Sequence, residues 1–159
     1  MADITNGTWI KDGNAVDAVY QGGVKVYGRN LALGTATTFI MTGNSLTNQS
    51  LAAYKFAYSI SAGTTITLAM DIVSSTSNGT FKLVFPMVSN GGGHWESLTQ
   101  PLPLSTSVQH IVKTYKISNS QVAINLQLDN ADGVVKMSNL IISKSSKEVN
   151  WSPAPEDVV

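Results

Sequence analysis

The sequence predicts an all-β protein, built as an antiparallel β-sandwich with little helix. Three segments alternate apolar and polar residues with a period of two: TTITLAMDIV, TFKLVFPMV and QVAINLQLD. Such alternation predicts strands that bury one face and expose the other. Residues that favour turns separate these runs, and no segment carries an apolar stripe with the 3.6-residue period of a helix.

The alternation also predicts which side chains form the core. The apolar faces of the three strands consist of Ile66, Leu68, Met70 and Ile72, then Phe81, Leu83, Phe85 and Met87, then Val122, Ile124, Leu126 and Leu128. About eight strands with long crossovers favour a jelly roll over an immunoglobulin sandwich, because the cysteine and tryptophan pattern of the latter is absent.

Composition limits the classes of partner. The 159 residues suit a single domain, and ten basic residues balance ten acidic ones. A neutral chain lacks the basic face that nucleic acid requires. The chain has no cysteine, its start does not resemble a signal peptide, and no apolar run approaches the roughly 20 residues that span a bilayer. We therefore expect neither nucleic acid nor a membrane as partner.

Punctuation by glycine and proline predicts three regions. Residues 1–28 contain short β-prone pieces between Asp-Gly and Gly-Gly pairs, and we expect an N-terminal linker or small β hairpin there. Residues 29–150 form the predicted sandwich. Residues 151–159 contain Pro153 and Pro155, which stiffen an extended chain, and they predict a C-terminal linker.

The sequence offers no catalytic constellation. Its two histidines lack metal-ligand spacing, no G-x-S-x-G elbow is present, and no two carboxylates are evidently paired for glycoside hydrolysis. The stretch DNADG places oxygen donors on Asp129, Asn130 and Asp132, as in a calcium loop, but an Asp-Gly hairpin turn explains it without metal. We predict a protein that is not an enzyme and has no cofactor or metal.

The best candidate for a binding site is the stretch NGGGHWE. Three glycines precede Trp95 and allow the backbone to turn its ring outward, where it would stack on the apolar face of a sugar. Hydrogen bonds to the sugar hydroxyls would come from Asn90, His94, Glu96 and Gln100. The alternative is that Trp95 caps the end of the sandwich core.

A second candidate is the polar face of a sheet. Thr67 and Asp71 alternate with core residues on one strand, and Asn125 and Gln127 do so on another. These four side chains would line a groove across the sheet. The alternative is that they are solvated polar residues without a ligand, as on any exposed sheet.

Two stretches carry a family resemblance, namely YGRNLALGTAT and VNWSPAPEDVV. The chain resembles carbohydrate-binding modules with a galactose-binding-like jelly roll, which occur in distal tail and baseplate proteins of siphophages that infect lactic-acid bacteria. The resemblance covers roughly residues 28–157. It implies a non-catalytic module in a parent phage tail protein, located in the virion at the tail tip, that binds host cell-wall polysaccharide. The alternative is a structural tail module without a sugar ligand.

Overall fold

The computed structural model describes residues 2–158 except for the stretches 6–7, 12–13, 16–17, 22–23 and 87–95. Side chains are described from residue 28 onward. Two antiparallel sheets stack into a sandwich, and this confirms the predicted all-β jelly roll.

Five short strands precede the sandwich: β1 (Ala2–Thr5), β2 (Thr8–Lys11), β3 (Asn14–Ala15), β4 (Ala18–Gln21) and β5 (Val24–Gly28). The first three pair in the order β1-β2-β3, and β4 pairs with β5 as an antiparallel hairpin. All five lie within the segment 1–28 that we predicted to be a linker or small hairpin.

The first sheet of the sandwich has five strands: β7 (Gln49–Ile60), β9 (Thr80–Phe85), β10 (Glu96–Ser97), β11 (Leu102–Pro103) and β13 (Gln121–Asp129). Their order is β10-β9-β13-β7, and β11 also pairs with β9.

The second sheet has four strands: β6 (Phe39–Thr42), β8 (Thr65–Ser74), β12 (Gln109–Lys116) and β14 (Val134–Ser143). Their order is β12-β8-β14-β6. The described residues include one helix, α1 (Pro155–Val158), and no described helix is long and apolar enough to cross a membrane.

The core lies between the two sheets and contains the predicted inward residues of β8 and β9, except Met87, which lies outside the described residues. Ile66, Leu68, Met70 and Ile72 of β8 and Phe81, Leu83 and Phe85 of β9 are at most 1% exposed. Full burial of such a side chain stabilises the fold by about 1.5–3 kcal/mol. The Phe85 ring lies edge-on to Phe56 at 6.0 Å and extends the aromatic packing toward Tyr115 at 6.2 Å.

The start of β13 departs from the prediction. Ile124, Leu126 and Leu128 are buried, but Val122, which we placed on the same face, is 44% exposed. The register of β13 against β7 shifts between Gln121 and Ala123, so the strand turns its faces there. Gln121 points inward instead and is fully buried.

The two stretches that carry the family resemblance meet in the structure. The amide of buried Asn30 donates to the carbonyl oxygens of Leu140 (2.8 Å) and Ser152 (3.0 Å), and Arg29 forms an ion pair with Glu156. The stretch 151–159, which we predicted to be a linker, is therefore held against the sandwich, because its backbone supplies a partner for a buried amide.

Candidate functional site

An open groove of about 350 Å³ lies on the outer face of the five-stranded sheet. Its described lining consists of Asn48, Ser50, Lys82, Val84, Ser97 and Gln127. We call this depression the groove. Gln127 lies between Leu126 and Leu128, which point into the core, so strand alternation directs its side chain outward.

Strand register aligns the polar side chains of the groove in rows. Ser50 and Lys82 are the two cross-strand partners of Gln127. In the adjacent row, Asn125 pairs with Val84, which in turn pairs with Ser97. Neutral donors and acceptors from β7, β10 and β13 therefore face one open surface, together with Lys82 of β9.

Neighbouring side chains hold the amide of Gln127, which lines the groove, and the amide of Asn125, which lies beside the lining on the same strand. Gln127 Nε2 donates to Asn48 Oδ1 and Asp129 Oδ2, both at 3.2 Å. Asn125 Nδ2 donates to Ser50 Oγ at 3.2 Å. These bonds fix the orientation of two amides that are only 8% and 7% exposed, Asn125 and Gln127 respectively.

One amide oxygen beneath this face of the sheet lacks a partner. Asn125 Oδ1 is buried and has no hydrogen-bond donor among the residues that the structure describes. A buried acceptor that is left without a donor costs about 1–3 kcal/mol. The sequence pattern identified Asn125 but gave no sign of the unpaired oxygen.

Glu96, one of the predicted sugar ligands of the loop, points into the protein. Its carboxylate accepts hydrogen bonds from the Tyr115 hydroxyl (2.8 Å), the backbone N–H of Asn119 (2.7 Å) and of Ser118 (3.1 Å), and the amide of Gln121 (3.2 Å). Burial raises the pKa of Glu96, but these hydrogen bonds outweigh it and hold the pKa below its usual value.

The inward direction of Glu96 determines what its neighbours can do. Ser97 follows it in β10 and is exposed toward the groove, as strand alternation requires. Gln100 is exposed but does not line the groove. Asn90, His94 and Trp95 lie outside the described residues, so their predicted contact with sugar stays a prediction.

The predicted sheet-face site is divided between two sheets. Asn125 and Gln127 lie on β13 in the five-stranded sheet, whereas Thr67 and Asp71 lie on β8 in the four-stranded sheet. The four residues therefore occupy opposite outer faces and cannot line one groove. Alternation assigns faces within a strand, but it does not say which sheet the strand joins.

A segment of chain covers the outer face of the four-stranded sheet. We call residues 144–150 the strap. Thr67 is 2% exposed and donates to the carbonyl oxygen of Ser145 at 2.7 Å, while Val149 packs with Ala69 and Ile141. Thr67 thus has its partner within the chain and is not available to a ligand.

His110 joins the strap to the sheet. Its Nδ1 lies 2.7 Å from Asp71 Oδ1, and its Nε2 lies 2.5 Å from Glu148 Oε1. Only a protonated imidazole can donate from both nitrogens. Accordingly the pKa of His110 is raised by Asp71 and Glu148, and the pKa of Asp71 is lowered by Asn139 and His110.

The carboxylates of the DNADG turn bond to neighbouring segments of the chain. Asp132 accepts from the Thr76 hydroxyl (2.7 Å) and the Asn78 amide (2.9 Å), and Asp129 accepts from the backbone N–H of Asn48 (2.6 Å). Within the described part of the chain, no group of three or more histidine, cysteine or acidic residues could hold a metal ion.

The fold and the groove define a two-sheet β-sandwich with an open polar depression on the outer face of one sheet. No protein-family model and no curated protein matches the sequence. Among solved structures, the chain is similar to the tripod from the baseplate of bacteriophage Tuc2009, with 13% identity and a TM-score of 0.55. The match covers 82% of this chain and 60% of the tripod chain.

Carbohydrate-binding modules also match. One is the N-terminal cellulose-binding domain of β-1,4-glucanase C from Cellulomonas fimi, with 13% identity and a TM-score of 0.48. The match covers 76% of this chain and 91% of that domain. Another is a CBM4 module, with 15% identity and a TM-score of 0.48, and this match covers 72% of this chain and 94% of that module. At these identities the likeness is one of fold.

Proposed function

We propose that this chain is a non-catalytic carbohydrate-binding module of a phage tail, which binds host cell-wall polysaccharide in the groove of the five-stranded sheet and promotes adsorption of the virion. The observation that carries the proposal is the polar lining of the groove, where neighbouring side chains hold the Gln127 amide in place and Ser50, Ser97 and Lys82 lie beside it.

The chemistry of the groove suits a sugar. Each hydroxyl of a sugar both donates and accepts, and amide and hydroxyl side chains such as Gln127, Ser50 and Ser97 match it on both counts. Lys82 adds one donor that carries a positive charge. The described lining holds no carboxylate, histidine or cysteine, so it lacks the acid and nucleophile of a glycosidase.

The predicted stacking platform complements this floor. Trp95 directly precedes Glu96 in the sequence, and Glu96 fixes the point at which the chain enters β10 at the edge of the groove. We propose that Trp95 stacks on the apolar face of the sugar and that His94 and Asn90 contribute hydrogen bonds.

The phage context rests on two observations. The stretches around Asn30 and Ser152 resemble siphophage tail proteins in sequence and join in the structure, and the fold is similar to that of a phage baseplate tripod. An open groove gives weak binding per site, because association carries a substantial entropic cost. Several copies on one virion would raise the overall affinity by effective concentration.

Binding of a fluorescent fusion to intact cells and to purified wall polysaccharide of a lactic-acid bacterium tests the proposal. We expect the fusion to adhere to the cells and soluble wall fragments to inhibit this adhesion. Gln127→Ala and Lys82→Ala should each weaken the adhesion about tenfold. Lys136→Ala removes an exposed lysine from the other sheet and serves as the control. Full adhesion by both groove variants would exclude the groove, and no adhesion by the unaltered protein would favour the structural-module alternative.

A further inference from the structure

We infer that a cleft on the opposite face of the sandwich, between the strap and the four-stranded sheet, is a second saccharide site that takes a neutral sugar. The cleft has a volume of about 320 Å³. Its polar and aromatic lining consists of Asp71, His110, Asn139, Glu148, Asn150 and Trp151. This inference goes beyond the proposed function of the groove and does not depend on it.

The cleft has an apolar side and a polar side. Ala69, Ile141 and Val149 are 2–7% exposed and form a small packed cluster that lines it. The ring of Trp151 is 37% exposed, and its Nε1 donates to Thr35 Oγ1 at 3.2 Å. That bond orients the indole and leaves the ring available for stacking against a sugar.

The polar side is held in place. His110 bonds to Asp71 and to Glu148, and Asp71 Oδ2 accepts from Asn139 at 3.0 Å. These bonds occupy both oxygens of Asp71 but only one oxygen of Glu148. Glu148 Oε2 and the Asn150 amide have no partner in the part of the chain that the structure describes, so both can bind ligand hydroxyls.

Charge selects the ligand class. Two carboxylates against one histidine give the cleft a net negative charge, whether or not His110 is protonated. An anionic ligand would be repelled, whereas sugar hydroxyls would donate to a carboxylate oxygen. An aromatic ring, an amide and a carboxylate around an apolar surface suit a pyranose with no charge.

Nuclear magnetic resonance titration with xylohexaose, cellohexaose and methyl β-N-acetylglucosaminide tests the inference. We expect at least one probe to shift the Trp151 indole and the Asn150 amide signals in a saturable way. Glu148→Gln and Asn150→Ala should each weaken that response about tenfold. Both positions are exposed enough to tolerate substitution, and a thermal melt checks that each variant is folded.

Gln127→Ala separates this inference from the proposed function. The response at Trp151 should persist in that variant, because Gln127 lies on the other sheet. No shift at Trp151 and Asn150 with any of the three probes would overturn the second site, as would loss of the response in Gln127→Ala. Shifts confined to the cleft would support this inference and count against the groove.

Discussion

The two outer faces of the sandwich satisfy their polar side chains in different ways. On the four-stranded sheet, Thr67 is covered by the strap and bonds to Ser145. On the five-stranded sheet, Asn125 keeps an oxygen without a donor among the described residues. Both residues alternate with core residues on their strands in the same way. A polar position on a strand therefore indicates the outer face but does not reveal whether the chain itself satisfies it.

The faces also differ in charge. The described lining of the groove contains one cation, Lys82, and no carboxylate. The cleft under the strap contains Asp71 and Glu148 around His110. If both faces bind saccharides, acidic glycans should distinguish them, because the two carboxylates of the cleft repel an anion more strongly than the groove does.

The largest expected effect concerns Glu96, which anchors β10 at the edge of the groove. Glu96→Ala should lower the free energy of unfolding by about 3 kcal/mol, since it leaves buried Gln121 and the partly buried donors of Tyr115 and Asn119 without their acceptor. Urea denaturation measures this, with Glu148→Ala as the control, because an exposed ion pair contributes about 1 kcal/mol or less. Equal stability of the two variants would mean that Glu96 does not anchor the strand.

Trp95→Ala sharpens the comparison between loop and sheet. If Trp95 is the stacking platform, the variant should lose binding to wall polysaccharide and keep its melting temperature. If Trp95 instead caps the core, the variant should lose about 3–5 kcal/mol of stability. A folded Trp95→Ala protein that binds normally would leave the sheet floor as the whole site.

The strap should respond to pH while the groove should not. The charged groups that act on His110 are Asp71 and Glu148, and they raise its pKa above 6.5. A raised pKa means that the stabilisation is complete below pH 6.5 and is lost as the pH rises through the raised value. Hydrogen exchange of residues 144–150 should therefore quicken, relative to the five-stranded sheet, at alkaline pH.

His110→Gln is the control for this effect. A glutamine side chain replaces only part of the hydrogen bonding to Asp71 and Glu148, and it does not titrate. Hydrogen exchange of the strap in this variant should therefore no longer depend on protonation at position 110. In the unaltered protein, hydrogen exchange of the strap could instead follow that of the five-stranded sheet at every pH from 6.5 upward. That result would contradict the role of His110.

The smallest expected effect is that of a chelator. Asp129 and Asp132 already accept hydrogen bonds from Asn48, Thr76 and Asn78, so removal of calcium should leave the melting temperature nearly unchanged. A site filled at 100 times its dissociation constant would add about 2.7 kcal/mol and shift melting by several degrees. A drop of that size in the melting temperature when chelator is added would reveal a metal at this turn.

Sequence periodicity predicted the core well and the sites only in part. The faces of β8 and β9 follow the alternation because each strand has a uniformly buried side. The exposure of Val122 was not predicted, because a register shift between strands is not visible in the sequence. The inward direction of Glu96 was not predicted, because a strand of two residues shows no period. Which sheet holds Asp71 and which holds Asn125 depends on strand order, and contacts between distant segments determine that order.

A crystal structure of the protein with an oligosaccharide from the wall of a lactic-acid bacterium tests the central claim most directly. The account predicts sugar in the groove, with a hydroxyl within hydrogen-bond distance of Gln127 and a contact with Lys82 or Ser97. Well-ordered sugar elsewhere on the molecule, with the groove free of it at saturating concentration, would contradict the account.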